Sequence, residues 1–311
     1  MVCTLQIVLE TTIILPMIIP LFLSSLKGVE NPVPTYSKTG YLEHDFKMFH
    51  LSDYGMRTID YHYHDFNKLI IFIHGNATYC IEGKSYELKP YDIILVNAGE
   101  LHRPIIHDAS LYERIIIYIS PSFLDQYRTD TYDLNYCFNK ARTEKSNVLR
   151  INLAEKSKLY QVCKELEHSL KENEYASELY QNLLFLEFMI HLNRSAIHNN
   201  INYIATNYSN DKVHQVIEYI HTHLKEDLTM DAIANALYVN KHYLMHLFKA
   251  ETGYTIGNYI TSKRLILAKE MIQNGVPVTE ACYECGYKNY SSFFRAYKKH
   301  YNDAPKDLVR E

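Results

Sequence analysis

The C-terminal third of the chain says the same thing twice, and an internal repeat constrains architecture more than any single motif. LTMDAIANALYVNKHYLMHLFK (Leu228 to Lys249) matches PVTEACYECGYKNYSSFFRAYK (Pro277 to Lys298). Ile233-Ala234 falls on Ala281-Cys282 at an offset of 48 residues. Leu244, Phe248 and Lys249 fall on Phe293, Tyr297 and Lys298 at an offset of 49, so the second turn is one residue longer. Each copy reads as a short helix, a tight turn and a longer helix opened by a polar cap. Asn240 and Asn289 are the cap residues, because an Asn side chain accepts from the free amides of a first helical turn. Leu244, Leu247 and Phe248, and then Phe293, Ala296 and Tyr297, take the i, i+3, i+4 spacing of a buried stripe. Lys241, His242, Met245 and His246 are left facing outward in the first copy, and Tyr290, Ser291, Ser292, Arg295, Lys298 and Lys299 in the second. The pattern is a pair of helix-turn-helix units.

Between them, GNYITSKRLILAKEMIQNG supplies Ile260, Leu265, Leu267, Ala268, Met271 and Ile272 to one apolar side. A helix of about 18 residues spans roughly 27 Å. That length suits two recognition helices set near the ~34 Å repeat of the major groove. The two units, their connector and the closing phrase GYKNYSSFFRAYKKHYNDAP resemble the DNA-binding domain of AraC-type transcription regulators over Lys212 to Glu311. Three positions depart from that pattern. Tyr238 stands at a turn Gly, Asn302 at the Gly before Ala304-Pro305, and Ala281-Cys282 at an Ile-Ala pair. The resemblance implies that the outward residues above contact promoter or operator DNA. It also implies a homodimer and contact with RNA polymerase, and it leaves the output open between an activator and a repressor.

The overall charge of −4 argues against nucleic acid, but its distribution does not. Residues 241–300 carry nine Lys/Arg against four Glu, a local +5, which leaves −9 for the rest. A basic module on an acidic protein is what neutralising phosphates requires. The six cysteines show no disulfide framework in a chain of 311 residues, which predicts a reducing, cytoplasmic setting. Cys282-x-x-Cys285 has no second ligand pair at zinc spacing and sits at a small buried position of the repeat, so its expected role is packing.

From about 41 to 120, within a domain expected over 41–150, the pattern is one of short strands at regular spacing. Asn67–Ile73, Ala77–Ile81, Ser85–Leu88, Ile93–Val96, His102–Ile106 and Leu111–Ile119 are separated by Gly75-Asn76, Gly83-Lys84 and Pro90-Tyr91-Asp92 turns. This predicts a small antiparallel barrel or sandwich. YHYHDFNKLIIFIHG and LKPYDIILVNAGELHRP resemble the cupin-like sensor domain of AraC-type regulators. An unbroken strand over Tyr61–Ile73 puts His62, His64 and Lys68 on one face, and the resemblance brings His102 to it. In metal-binding cupins a carboxylate completes the three His; here Lys68 falls in that position. An ammonium is a poor neighbour for a divalent ion, so no metal or other cofactor and no catalytic residue is expected. His62, His64, Lys68 and His102 then suit a small polar or anionic, sugar-like effector. A cupin-type metal enzyme with an appended helical domain is the competing class, and a metal assay separates the two.

Residues 151–200 switch to helical periodicity, with more apolar side chains over 180–192 than a one-sided surface helix needs. A hairpin of this kind either caps the sensor or forms a dimer interface, and the resemblance favours the interface. Residues 201–211 read as a linker to a DNA-binding domain at 212–311. At the other end, 1–40 reads as an extension and linker. Its uncharged run, Thr11 to Leu26, is 16 residues with Pro16 and Pro20, short of the ~20 that span a bilayer, and no Lys or Arg precedes it as in a signal peptide. The expected class is α+β: a cupin-like antiparallel β-barrel, a helical hairpin, and an all-α domain with two helix-turn-helix units.

Overall fold

The structure is a computed structural model that describes residues 42, 44–55, 59–151, 153–198, 200–208 and 210–306. The extension expected over 1–40 lies outside them. In chain order come β1 (Phe46–Asp53), β2 (Asn67–His74), β3 (Ala77–Ile81), β4 (Lys84–Glu87), β5 (Ile93–Val96), β6 (His102–Ile106) and β7 (Tyr112–Ile119). Two short helices follow, α1 (Pro121–Asp125) and α2 (Tyr136–Thr143), then β8 (Val148–Ile151) and the hairpin α3 (Leu153–Ser169) and α4 (Ser177–Ile197). After β9 (Ile201–Tyr203) and β10 (Asn207–Tyr208) the chain is helical: α5 (Asp211–Thr222), α6 (Met230–Ala236), α7 (Lys241–Thr252), α8 (Ile256–Gln273), α9 (Val278–Glu284) and α10 (Tyr290–Tyr301).

The α+β organisation is as expected, with strands first and helices last. The strands do not close into one barrel. They form a six-stranded sheet, β1-β7-β2-β5-β8-β9, and a four-stranded sheet, β10-β4-β3-β6, all pairings antiparallel. Alternation along β2 explains the layering. Leu69 and Ile71 join a core with Phe123, Phe138, Leu166, Phe185, Phe188 and Leu192, so α1 to α4 cover the outer face of the larger sheet. Ile70 and Phe72 point the other way and meet Tyr79, Ile81, Tyr86 and Ile106 of the smaller sheet.

Residues 201–208, expected as a linker, instead add an edge strand to each sheet. The sensor and the helical region share part of their core. Tyr61, Cys80 and Leu101 share one apolar cluster with Val216, Ile220, Ile233, Phe248, Tyr254 and Tyr259. The first half of α8 packs in that cluster, and its second half, with Leu265, Ala268 and Ile272, packs with Phe293 and Tyr297 of the second unit. Among the described residues, no helix is long and apolar enough to cross a membrane.

The repeat is visible in local detail. Asn240 accepts from the amides of His242 and Tyr243, and Asn289 from that of Ser292. Both unusual residues at glycine positions sit in the left-handed region, Tyr238 at φ 52° and Asn302 at φ 62°. Asn tolerates this conformation, whereas Tyr does so at a cost. Cys282 and Cys285 are fully buried, and the Cys285 thiol donates to the carbonyl of Cys282.

Candidate ligand site and nucleic-acid interface

The chain from Tyr61 to Phe66 is not the unbroken strand expected. An isolated bridge stands in its place, in which the amide of His62 donates to the carbonyl of His102 at 3.1 Å and the amide of His102 returns the bond at 2.9 Å. The alternation survives the break. His62, His64 and His102 converge with ring centroids 4.5 to 5.1 Å apart, and Lys68 Nζ lies 3.4 Å from His102 Nε2. His64, Lys68 and His102 are buried, and His62 is half-buried. Phe66 stacks on His64, and Tyr118 and Tyr79 close the surroundings.

Hydrogen bonding orients the rings. Nδ1 of His62 donates to the carbonyl of Asp60, and Nδ1 of His102 to that of Glu100, both at 2.9 Å. The second nitrogen, Nε2, is then the acceptor on each neutral ring. Burial pushes the His102 imidazole well below its usual range, and the Lys68 charge adds to this; burial lowers His62 as well. Burial also pushes the Lys68 amine down to about 7, with the Arg114 guanidinium contributing. Arg114 is itself paired with Asp53, whereas Lys68 meets an imidazole rather than a carboxylate. Among the described residues, the hydroxyl of Tyr79, 1% exposed, has no hydrogen-bond partner. The site therefore offers one labile cation, neutral imidazole acceptors and a buried phenol donor.

Three ligand nitrogens, one from each imidazole, lie within 4.8 Å of one another, a spacing that would suit a metal. The rest of the site does not fit one. An ammonium stands against His102 Nε2, where a bound cation would need the lone pair, and no carboxylate among the described residues joins the cluster.

On the helical side, His242, Met245, His246, Ser291, Arg295, Lys298 and Lys299 are exposed, while Lys241, Tyr290 and Ser292 are half-buried. Several cations counted as a basic face are already engaged. Lys241 pairs with Asp231 at 2.9 Å and Lys288 with Asp227 at 2.5 Å. Lys263 pairs with Glu82, and Arg264 donates to the carbonyls of Leu224 and Glu226. Exposed cations remain at Arg295, Lys298 and Lys299 on α10 and at Lys249 on α7.

One group of residues escaped the sequence reading altogether. Glu82, in the two-residue turn between β3 and β4, is 6% exposed and reaches the helical region. It accepts from Lys263 Nζ at 2.6 Å, from the Leu101 amide at 2.7 Å and from the Tyr259 hydroxyl. Lys263 also donates to the Gly99 carbonyl at 3.0 Å. Gly99 sits at φ +79°, a conformation that favours glycine, and a β-carbon there would stand 2.5 Å from Ile266 Cδ1, so α8 lies directly over this loop. Nothing local marks a turn glutamate as an interior ion-pair partner, since its lysine lies 181 residues away.

A two-sheet module with an interior polar site, joined to paired helix-turn-helix units, is the architecture of a ligand-binding, DNA-binding regulator. A family model described as an AraC-like ligand binding domain matches residues 48–189, and one described as a helix-turn-helix domain matches 233–311. The chain belongs to the AraC-type DNA-binding transcription regulators that carry a ligand-binding domain. The HTH-type transcriptional activator RhaS of Shigella sonnei is 22% identical over 261 residues, covering 79% of this chain and 86% of that protein. Among solved structures, ToxT from Vibrio cholerae O395 is 18% identical over 86% of this chain and 97% of its own, with a TM-score of 0.35. The C-terminal domain of AraT from Geobacillus stearothermophilus is 28% identical over 32% of this chain and 85% of its own, with a TM-score of 0.32.

Proposed function

We propose that this regulator responds to a small hydroxyl-bearing anion of the sugar-acid kind held by His62, His64, Lys68 and His102. One observation carries the reading: Lys68 is a buried amine that faces neutral imidazole acceptors instead of a carboxylate. A carboxylate ligand supplies the missing counter-charge, returns the amine to its protonated form, and forms a charge-assisted bond of about 1.5–3 kcal/mol. A ligand hydroxyl donates to Nε2 of His62, whose Nδ1 is already the donor to Asp60. The competing reading as a metal-dependent enzyme is disfavoured by the ammonium beside His102, and the transcriptional role of the RhaS relative points the same way.

In this proposal residues 41–150 sense the effector, 151–200 form the dimer contact and 212–311 bind DNA. Arg295 reads bases together with His242, Met245, His246, Tyr290, Ser291 and Ser292, while Lys298, Lys299 and Lys241 meet phosphate. Homodimerisation is supported by Leu179, Leu183 and Ile190, which are 62%, 55% and 39% exposed along the outer side of α4. The name of the RhaS relative supports activation; contact with RNA polymerase and a cytoplasmic location belong to the proposed role as a regulator of transcription.

The test is calorimetry with gluconate, galacturonate and their neutral parent sugars on wild-type protein and Lys68→Met. Binding of a sugar acid that is lost in the variant supports the site. Binding that survives Lys68→Met, or stoichiometric metal in the purified protein that His64→Ala removes, refutes it.

A further inference from the structure

We infer that residues 61–65 carry the state of the interior site to the second helix-turn-helix unit, with Tyr63 as the positioning residue for α10. The inference rests on the effector reading above. It starts from the alternation of this short extended stretch, whose two faces meet different parts of the molecule.

One face belongs to the cluster. His62 and His64 put their rings beside His102, and their backbones are tied to the strand that carries it. His62 exchanges two bonds with His102, and the His64 carbonyl accepts from the Gly99 amide at 2.7 Å. The opposite face belongs to the DNA-binding region. The Tyr61 carbonyl accepts from the Tyr254 hydroxyl at 2.8 Å, just past the end of α7. The Tyr63 hydroxyl lies 2.9 Å from His300 Nε2, with the two rings stacked at 5.7 Å. Asp65 pairs with Lys269 of α8 at 3.4 Å.

Tyr63 is 1% exposed, so its ring has no free volume in which to absorb a backbone shift. A displacement of His62 or His64 that admits an occupant moves the peptide units on both sides of Tyr63. The phenol then follows, and the last turn of α10 with it. His300 is five residues beyond Arg295, which turns it about 140° around the helix from that side chain. The sensor therefore holds α10 from behind while the base-reading candidate faces outward. A small change in the cluster becomes a change in the set of the recognition helix, without the effector touching the DNA-binding region.

The experiment uses the full chain and needs no effector. Hydrogen exchange is followed by mass spectrometry in wild type, Lys68→Met, Tyr63→Phe and the double variant. Lys68→Met perturbs the cluster while keeping its volume, and Tyr63→Phe keeps the stacked ring but removes the hydroxyl. Lys68→Met is expected to change exchange at 298–301 by about threefold or more, as the loss of a hydrogen bond does, with α7 interior amides unchanged. In the Tyr63→Phe background the same substitution should still alter 62–68 but no longer alter 298–301. If Lys68→Met does not fold, His62→Asn, at the half-buried position, supplies the perturbation. A response at 62–68 that stops short of 298–301, or one that persists at 298–301 without the Tyr63 hydroxyl, overturns the inference. Because the cluster is perturbed by substitution, failure of every sugar acid to bind sinks the effector reading alone and leaves this result legible.

Discussion

Replacing Lys263 by methionine removes the cation from a carboxylate that has almost no water to fall back on. The side chains of Glu82 and Lys263 are 8% and 11% exposed. Their 2.6 Å contact therefore lies in the regime where breaking a buried pair costs about 3–5 kcal/mol, mostly the penalty of the stranded charge. The Leu101 amide and Tyr259 hydroxyl remain as donors, so the lower half of that range is expected. The pH dependence sharpens the test. In the wild type, burial pushes the Glu82 carboxyl up, but Lys263 above all, then His221 and the hydrogen bonds from Lys263 and Tyr259, hold it below the ordinary carboxylate range. A depressed acid contributes stability that is present above its unfolded value of about 4.3 and is lost as pH falls through the folded value. Without Lys263 the effect of burial prevails and the folded value rises above the unfolded one. The variant should then regain stability as pH is lowered from 7 towards 5, while wild type gains nothing from this pair over that window. Urea unfolding followed by circular dichroism and tyrosine fluorescence measures both effects, since the chain has no Trp. The double variant Glu82→Gln, Lys263→Met should recover most of the loss. A cost under about 1 kcal/mol at pH 7 with no recovery on acidification would show that the pair is screened by solvent and that this interface opens readily.

Three further outcomes are expected. Arg295→Ala should relax base preference at one operator position by about 1–3 kcal/mol in a binding-site selection, whereas Lys298→Ala should weaken all sequences alike. Leu183→Asp with Ile190→Asp should give monomers in sedimentation with an unchanged circular dichroism spectrum; these two positions are chosen because Leu186 leans on the core beneath α4. A dimer that persists would remove the outer stripe of α4 as the contact. Tyr238→Gly should stabilise the protein by about 1 kcal/mol in thermal unfolding, because Tyr238 is 97% exposed at φ 52° and gains no packing for its strained backbone.

What local chemistry dictates was legible in the chain. Asn240 and Asn289 cap the two long helices because the cap is a contact over two or three residues. The runs Ala77–Ile81, Ile93–Val96 and His102–Ile106 were read with their observed bounds, since turn residues punctuate them and alternation or apolar runs fill them. The approach of His62, His64, Lys68 and His102 was also readable, through period-two alternation on one side and a resemblance on the other. Weaker signals were lost: β8, β9 and β10 are two to four residues each, too short for any periodicity to declare them, and they exist because a neighbouring edge accepts them. Charge bookkeeping misled for a related reason, as Lys241, Lys263 and Lys288 meet acids that only folding brings near. The joining of sensor to helices belongs wholly to the tertiary structure. Tyr63 and His300 are 237 residues apart, and Glu82 and Tyr259 are 177 apart. A tyrosine in an extended segment or a glutamate in a turn has the same local propensity whether it meets water or another layer of the fold. Only the packed layers decide which, because burial and partner, not sequence neighbours, set the free energy of a polar side chain.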